Sequence, residues 1–181
     1  MTLGIALARL TIGVLFIGHG TQKLFGWFGG HGREGTAGFF ESIGLAPGDR
    51  NAVAAGASEA GGGALLAAGL FTPLAATLIS GPMITAIRKV HAPNGPWVTE
   101  SGYEYNLVLL AAVFAIADVG PGALSLDRAF GIDLSGPGWA LAQLGAAAAG
   151  SAALLAAGEK ASAAAQQDAP AGDPATSGAS A

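Results

Sequence analysis

The chain contains no cysteine among its 181 residues. This absence excludes disulfides, thiolate nucleophiles and every zinc or iron–sulfur site that needs cysteine ligands. No Ser-His-Asp arrangement or metalloprotease motif is visible either, and we predict no metal site. Any redox chemistry must therefore come from a bound cofactor or substrate.

Charged residues are also scarce. They make up 11% of the chain, whereas soluble domains usually carry about a quarter. The formal net charge is −4, and no run of basic residues provides the footprint of a nucleic-acid-binding protein. Apolar residues account for 51% of the sequence. A lipid bilayer is the simplest solvent for this composition, so we predict a membrane protein.

Four apolar runs approach the roughly 20 residues that a helix needs to cross a bilayer. They are Leu3–Phe25, Ala52–Leu70, Pro73–Ile87 and Tyr105–Gly120. We interpret the first as an uncleaved span, because Arg9 interrupts it and no convincing Ala-x-Ala cleavage site follows. The sequence thus predicts an all-α polytopic membrane protein built on a four-transmembrane-helix bundle.

The segments between and after these runs differ in composition. Within the first loop, "TAGFFESIGL" (Thr36–Leu45) predicts a short interfacial helix. The stretch Trp139–Gly158 is mostly Ala with a few Leu and is compatible with a fifth span. From Glu159 onward Ala, Ser, Pro and Asp dominate, and we expect a disordered tail. The predicted organisation is a membrane domain over 1–130, a linker with the optional fifth helix over 131–158, and the tail over 159–181.

Lysine and arginine in short loops indicate which side of the membrane each loop faces. The first loop carries Arg33 and Arg50, and the third connection carries Arg88 and Lys89. The loops of the opposite side carry only Arg128. We therefore expect the first loop and the third connection to be cytoplasmic, with the N-terminus outside.

Ionisable residues within the apolar runs are the candidate site, because such side chains in lipid must face protein or a polar cavity. At 100° per residue, Arg9 and Lys23 share one face of the first helix. Because consecutive helices run antiparallel, most of the ionisable residues should lie in one half of the membrane. Arg9 and Asp118 should lie in the other half. The candidate binding residues are Arg9, His19, Lys23, Glu59, His91 and Glu104.

Structural roles remain alternatives for several of these residues. Arg9 and Asp118 lie near helix ends and fit a structural ion pair as well as a functional one. Lys23 is as compatible with snorkelling to the interface as with ligand contact. His19 suits a hydrogen bond to a neighbouring helix equally well. For Glu59 a functional role is favoured over a structural one, because a carboxylate about two turns into a Gly-rich span is costly unless it is paired.

Three stretches, in their order and spacing, resemble the DoxX family of small four-helix bacterial membrane proteins. They are "RLTIGVLFIGHGTQKLFG", "GASEAGGGALLAAGLFTPLAA" and "GYEYNLVLLAAVFAIADVGPGALSLDRAF". The resemblance covers about residues 1–130 and implies a multi-pass protein of the bacterial inner membrane. The family includes subunits of a thiosulfate:quinone oxidoreductase. By this resemblance, Arg9, Lys23, Glu59 and Glu104 match recurring family positions.

The combined prediction is an integral membrane subunit of an oxidoreductase system, with a polar cavity that binds a quinone head group or a small oxyanion. Lys23 and His19 donate hydrogen bonds, and Glu59 or Glu104 exchanges protons. A small-solute or proton-coupled carrier and a non-catalytic anchor for a partner enzyme are the alternatives. The expected partners are the lipid bilayer and a soluble or membrane oxidoreductase subunit, and a homo-oligomer is compatible with the sequence. No catalytic residue is assigned.

Overall fold

The computed structural model describes residues 3–167, and this part of the chain is helical without any β-strand. The all-α fold class is confirmed. A π-helical turn, Ile87–His91, continues the fourth helix, and 3₁₀ turns cover Trp27–Gly29, Ala92–Asn94 and Val98–Glu100. The α-helices are α1 (Leu3–Phe25), α2 (Gly32–Ser42), α3 (Gly48–Ala68), α4 (Thr72–Ala86), α5 (Glu104–Val119), α6 (Leu126–Ala129) and α7 (Pro137–Gln167).

The tightest packing in the bundle is between α1 and α3, and glycine makes it tight. A Cβ atom at Gly20 would lie 2.4 Å from the amide nitrogen of Ala60. One at Gly13 would lie 2.6 Å from the carbonyl oxygen of Gly63. The two backbones therefore touch directly, a mode of association that small residues permit between apolar helices.

Helix α4 packs against α3, α5 and α7, and the core lies around it. Pro82 within α4 has no amide hydrogen, so the carbonyl oxygen of Leu78 lacks its usual intrahelical donor. The hydroxyl of Ser58 in α3 donates to that oxygen at 2.8 Å. This contact satisfies the interrupted helix and holds α3 against α4. The fully buried core side chains include Phe16, Leu66, Ile79 and Val113.

Arg9 holds the end of α3 where the carbonyl oxygens of the last helical turn have no intrahelical donor. Its guanidinium is buried and donates to the carbonyl oxygens of Ala67 at 3.1 Å and Leu66 at 3.4 Å. It also donates to the carbonyl oxygen of Leu124. The alternative of an Arg9–Asp118 ion pair is wrong for this structure, because the guanidinium is turned to these backbone carbonyls.

Asp127 holds the adjoining start of α4, and the sequence analysis did not single it out. Its buried carboxylate accepts hydrogen bonds from the amides of Phe71 at 2.8 Å and Thr72 at 3.1 Å. The Thr72 hydroxyl donates to it as well, at 2.8 Å. An aspartate at this place satisfies free N–H groups of the first turn. Arg9 and Asp127 thus fix the two sides of the α3–α4 turn.

Two helical segments are long and apolar enough to cross a membrane, Leu3–Phe25 and Pro137–Ala161. The first is the predicted first span, and the second contains the optional fifth one. Helices α4 and α5 have 15 and 16 residues, short of the roughly 20 that a span needs. Helix α3 is long enough, but it is Gly-rich and carries Asp49, Arg50 and Glu59.

Helix α7 continues past the predicted boundary at Gly158 and ends at Gln167. The segment 159–167 is therefore helical rather than part of a structureless tail. Its composition explains the difference, because Ala has the highest helix propensity and outweighs the polar residues there. The rest of the predicted tail, 168–181, lies outside the described residues.

The predicted interfacial helix corresponds to α2, which packs against α3. An exposed ion pair ties the two, with Arg33 Nε 2.5 Å from Asp49 Oδ1. The hydrogen bond from Arg33 holds the pKa of Asp49 below its ordinary value. Because both side chains are well solvated, the pair positions α2 more than it stabilises the fold.

The α1–α3 contact predicts different effects for two neighbouring glycines. Gly20→Val should lower the free energy of unfolding by about 1–3 kcal/mol, because its side chain collides with the α3 backbone. Gly18→Val is the control, since nothing lies within 4 Å of the position a Cβ would take. Unfolding in detergent, followed by circular dichroism, compares the two, and equal stability losses would contradict the packing described.

Candidate functional site

A cavity of about 790 Å³ lies between α1, α2, α3, α4, α5 and α7. It occupies the end of the bundle where α1 finishes and α3 begins. Most of its wall is apolar, and the size and character are typical of a ligand pocket. The larger apolar side chains in the wall are Phe16, Phe39, Phe40, Leu78, Met83, Leu109 and Leu154.

Helix α7 completes this cavity because its C-terminal part reaches the α2–α3 loop. A Cβ atom at Gly158 would lie 2.6 Å from the carbonyl oxygen of Gly44, so only glycine permits this approach. The hydroxyls of Ser151 in α7 and Thr85 in α4 lie 2.8 Å apart, both buried. The Ala-rich segment is therefore part of the site and not only a linker.

The polar centre of the cavity is an ion pair between Lys23 and Glu59. Lys23 Nζ lies 2.6 Å from Glu59 Oε2. The Glu59 side chain is 3% exposed and that of Lys23 is 25% exposed, so the lysine is the accessible partner. Burying one charge without a partner of opposite sign is costly, and the pair avoids this cost. The ion pair joins the same two helices, α1 and α3, that the glycine contacts hold together.

Two histidines also line the cavity. The ring of His19 is exposed and lies edge-on to Phe16, with ring centroids 6.0 Å apart. Nδ1 of His91 lies 2.8 Å from the carbonyl oxygen of Ser101. Since a carbonyl only accepts, Nδ1 carries the proton, and Nε2 is available to accept a hydrogen bond in the neutral ring.

Lys89 adds a positive charge to the cavity wall. It belongs to the same π-helical turn as His91, and π-helical turns are frequent at functional sites. Across residues 3–167, no carboxylate lies within 4.0 Å of its ammonium group. Because Lys23 and Glu59 compensate each other, the cavity carries a net positive charge when its histidines are neutral.

Arg9 and Glu104 are not in the cavity. Arg9 lies at the opposite end of the bundle, where it binds backbone carbonyls. Glu104 begins α5 on the exposed side, and its Oε2 accepts from the Val98 amide at 3.0 Å. The sequence pattern placed Glu104 at the correct end of the bundle, the end that holds the cavity. Its carboxylate, however, binds the α4–α5 connection instead of lining the cavity. The candidates that line the cavity are His19, Lys23, Glu59 and His91.

Asn106 lines the cavity and was missed by the sequence analysis. It is 6% exposed, and its Nδ2 donates to the thioether sulfur of Met83 at 3.2 Å. Its polar side chain in the apolar run "YNLVLL" is the signal that would have identified it. Among the described residues no group of three or more His, Asp and Glu side chains is placed to hold a metal ion.

The family comparison covers two of the three stretches that carried the resemblance, and the third, residues 102–130, lies beyond the match. The model of the DoxX family matches residues 4–92. Neither the curated proteins nor the solved structures include a match to the chain. The matched segment contains α1 to α4 and the π-helical turn, with Lys23, Glu59 and His91, whereas α5 and α7 lie beyond it. Residues 4–92 of the chain belong to the DoxX family.

Proposed function

We propose that the protein is a multi-pass membrane subunit of an oxidoreductase system and that its cavity binds a quinone. The observation that carries this proposal is the placement of the Lys23–Glu59 pair in a cavity with otherwise mainly apolar walls. A quinone has the matching chemistry, namely carbonyl acceptors on an apolar ring with an apolar tail.

The outer surface supports a position within lipid. Along α1, Leu3, Leu7, Leu10 and Val14 are each at least half exposed and recur at helical spacing on one face. A soluble monomer rarely exposes a continuous apolar stripe of this kind, whereas lipid covers it without cost. This face of α1 therefore contacts the bilayer in our proposal.

Exposed aromatic side chains lie at both ends of the bundle. Trp27, Phe28 and Trp97 are exposed at the cavity end, while Phe71, Phe130 and Trp139 are exposed at the other. Aromatic residues are typical of the two membrane–water interfaces. Two such belts support a bundle that crosses the membrane several times, including its shorter helices.

The shorter helices reach closer to a full span than their α-helical bounds suggest. Helix α4 and the π-helical turn form one continuous rod from Thr72 to His91. At about 1.5 Å per residue, this rod approaches the 30 Å thickness of the hydrocarbon core. In this arrangement α1, α3, α4, α5 and α7 all cross the bilayer.

The cavity walls favour a quinone over a bare oxyanion. Phe16, Met83 and Leu109 offer contact to a ring and tail, but they offer nothing to a small hydrated anion. Lys23 and His19 supply donors for a carbonyl oxygen of the ring. A bound quinone accepts two electrons and two protons, and the electrons come from a partner oxidoreductase.

Within the proposed site, Glu59 is the proton-exchanging group. Its Oε2 lies within hydrogen-bond distance of Lys23 Nζ, and the lysine is the more exposed of the two. A proton passed between these atoms stays within the polar centre of the cavity. General acid–base groups held in this way typically contribute about 10²- to 10⁴-fold to a rate.

Substitutions at Glu59 separate this role from a structural one. Glu59→Gln keeps the shape and should preserve membrane insertion, while quinone-dependent electron transfer by the purified complex falls about 10²-fold or more. Glu59→Leu leaves Lys23 unpaired and should cost about 3–5 kcal/mol of stability. Adding Lys23→Met to Glu59→Leu should restore stability but not electron transfer.

If the Glu59→Gln complex transfers electrons at the wild-type rate, Glu59 is not the proton-exchanging group. Activity of the complex that survives every cavity substitution would instead favour the anchor alternative. Uptake of a solute by vesicles containing the lone subunit would favour the carrier alternative.

The proposed topology is tested with single cysteines in this cysteine-free chain. Ser42→Cys and Ser101→Cys lie at the cavity end and should both react only from the cytoplasmic side, since the loop Lys and Arg residues concentrate there. Asp133→Cys, in the α6–α7 connection, is the matched probe of the other end and should react with an impermeant maleimide from outside. Labelling of all three from one side would refute the multi-pass arrangement.

A further inference from the structure

Asn106 is a buried amide with a weak hydrogen-bond partner. It sits in the first turn of α5, is 6% exposed and lines the cavity. The side-chain hydrogen bond that the structure shows for it, across residues 3–167, goes to the sulfur of Met83. A thioether is a poor acceptor, whereas buried amides normally have stronger partners. The amide therefore retains hydrogen-bonding capacity toward the cavity.

Asn51, a second asparagine that lines the cavity, makes a hydrogen bond with a structural role. The Nδ2 of Asn51 donates to the carbonyl oxygen of Leu45 at 2.9 Å and so fixes the α2–α3 loop. Asn106 makes no comparable bond to the backbone in the described chain. Met83 is also unbranched and flexible, so its side chain can give way when a better acceptor enters.

The position of Asn106 complements that of the ion pair. Lys23 and Glu59 belong to α1 and α3, while Asn106 belongs to α5, and α4 packs against both α3 and α5. The cavity therefore presents hydrogen-bonding groups from two different walls, with apolar side chains such as Phe16 and Leu109 also lining it.

We infer that Asn106 is a specificity-determining residue that binds a second acceptor atom of the occupant. The cavity then selects a ring with two opposed carbonyls, one held by Lys23 and His19 and the other by the Asn106 amide, over a ligand with a single carbonyl. This inference rests on the proposed quinone site, and it names a residue outside the segment that matches the family.

The test compares two ligands in nanodiscs containing the full chain. The probes are a decyl-substituted p-benzoquinone and the matching decyl-substituted cyclohexenone, which has one carbonyl. Asn106→Leu keeps the side-chain size and removes the amide. It should weaken quinone binding about tenfold, the value of one hydrogen bond, and change cyclohexenone binding by less than about twofold. The melting temperature without ligand should be unchanged or higher, since the lost contact is weak.

Asn51→Leu is the matched control. It should lower the melting temperature, because the Leu45 carbonyl loses its donor, and it shows the stability loss expected when a structural amide is removed. Equal quinone affinity in the wild type and Asn106→Leu overturns the inference while the proposed site stands. A lowered melting temperature of ligand-free Asn106→Leu also overturns it, since the amide is then structural. A wild-type protein that binds neither probe overturns the proposed function together with the inference.

Discussion

The direct backbone contact between α1 and α3 is the constraint on which the cavity depends. Gly13 and Gly20 let the two helices approach until no Cβ atom fits between α1 and the α3 backbone at these positions. At this separation Nζ of Lys23 on one helix lies 2.6 Å from Oε2 of Glu59 on the other. Because that pair gives the cavity its polar centre, the glycines determine the chemistry of the site without lining its charged part.

The irregular part of α4 and the π-helical turn that follows it lie in the cavity wall. Pro82 interrupts the hydrogen bonding of the helix, and the π-helical turn Ile87–His91 changes its register before it ends. Lys89 and His91 belong to the π-helical turn, and both line the cavity. The lost helical bond is offset by Ser58, so the irregularity costs little stability.

Two pairs of charged residues in this apolar chain, Arg9 with Asp127 and Lys23 with Glu59, have distinct roles and lie at opposite ends of the bundle. Arg9 and Asp127 satisfy backbone groups at the α3–α4 turn, where helix ends leave carbonyls and amides free. Lys23 and Glu59 satisfy each other and remain accessible from the cavity. A charge that binds backbone is committed to the fold, whereas a charge in a cavity wall can respond to a ligand.

The sequence by itself determined the helical fold class, the bounds of α1, the family and the end of the bundle at which most ionisable residues gather. Composition and apolar run length decide these features, because each helix must cover its own backbone before it packs. Of the candidate residues selected from the sequence, His19, Lys23, Glu59 and His91 line one cavity.

Only the tertiary structure decided which of those residues act together. Periodicity gives the face and depth of a side chain, but it does not give the neighbour across the interface, so Arg9 and Glu104 found backbone partners outside the cavity. The contribution of α7 to the cavity could not be predicted from the sequence either, because Ala and Gly have no functional group that would indicate a site. These small residues allow neighbouring helices to approach closely, and this contact forms only when the helices pack together.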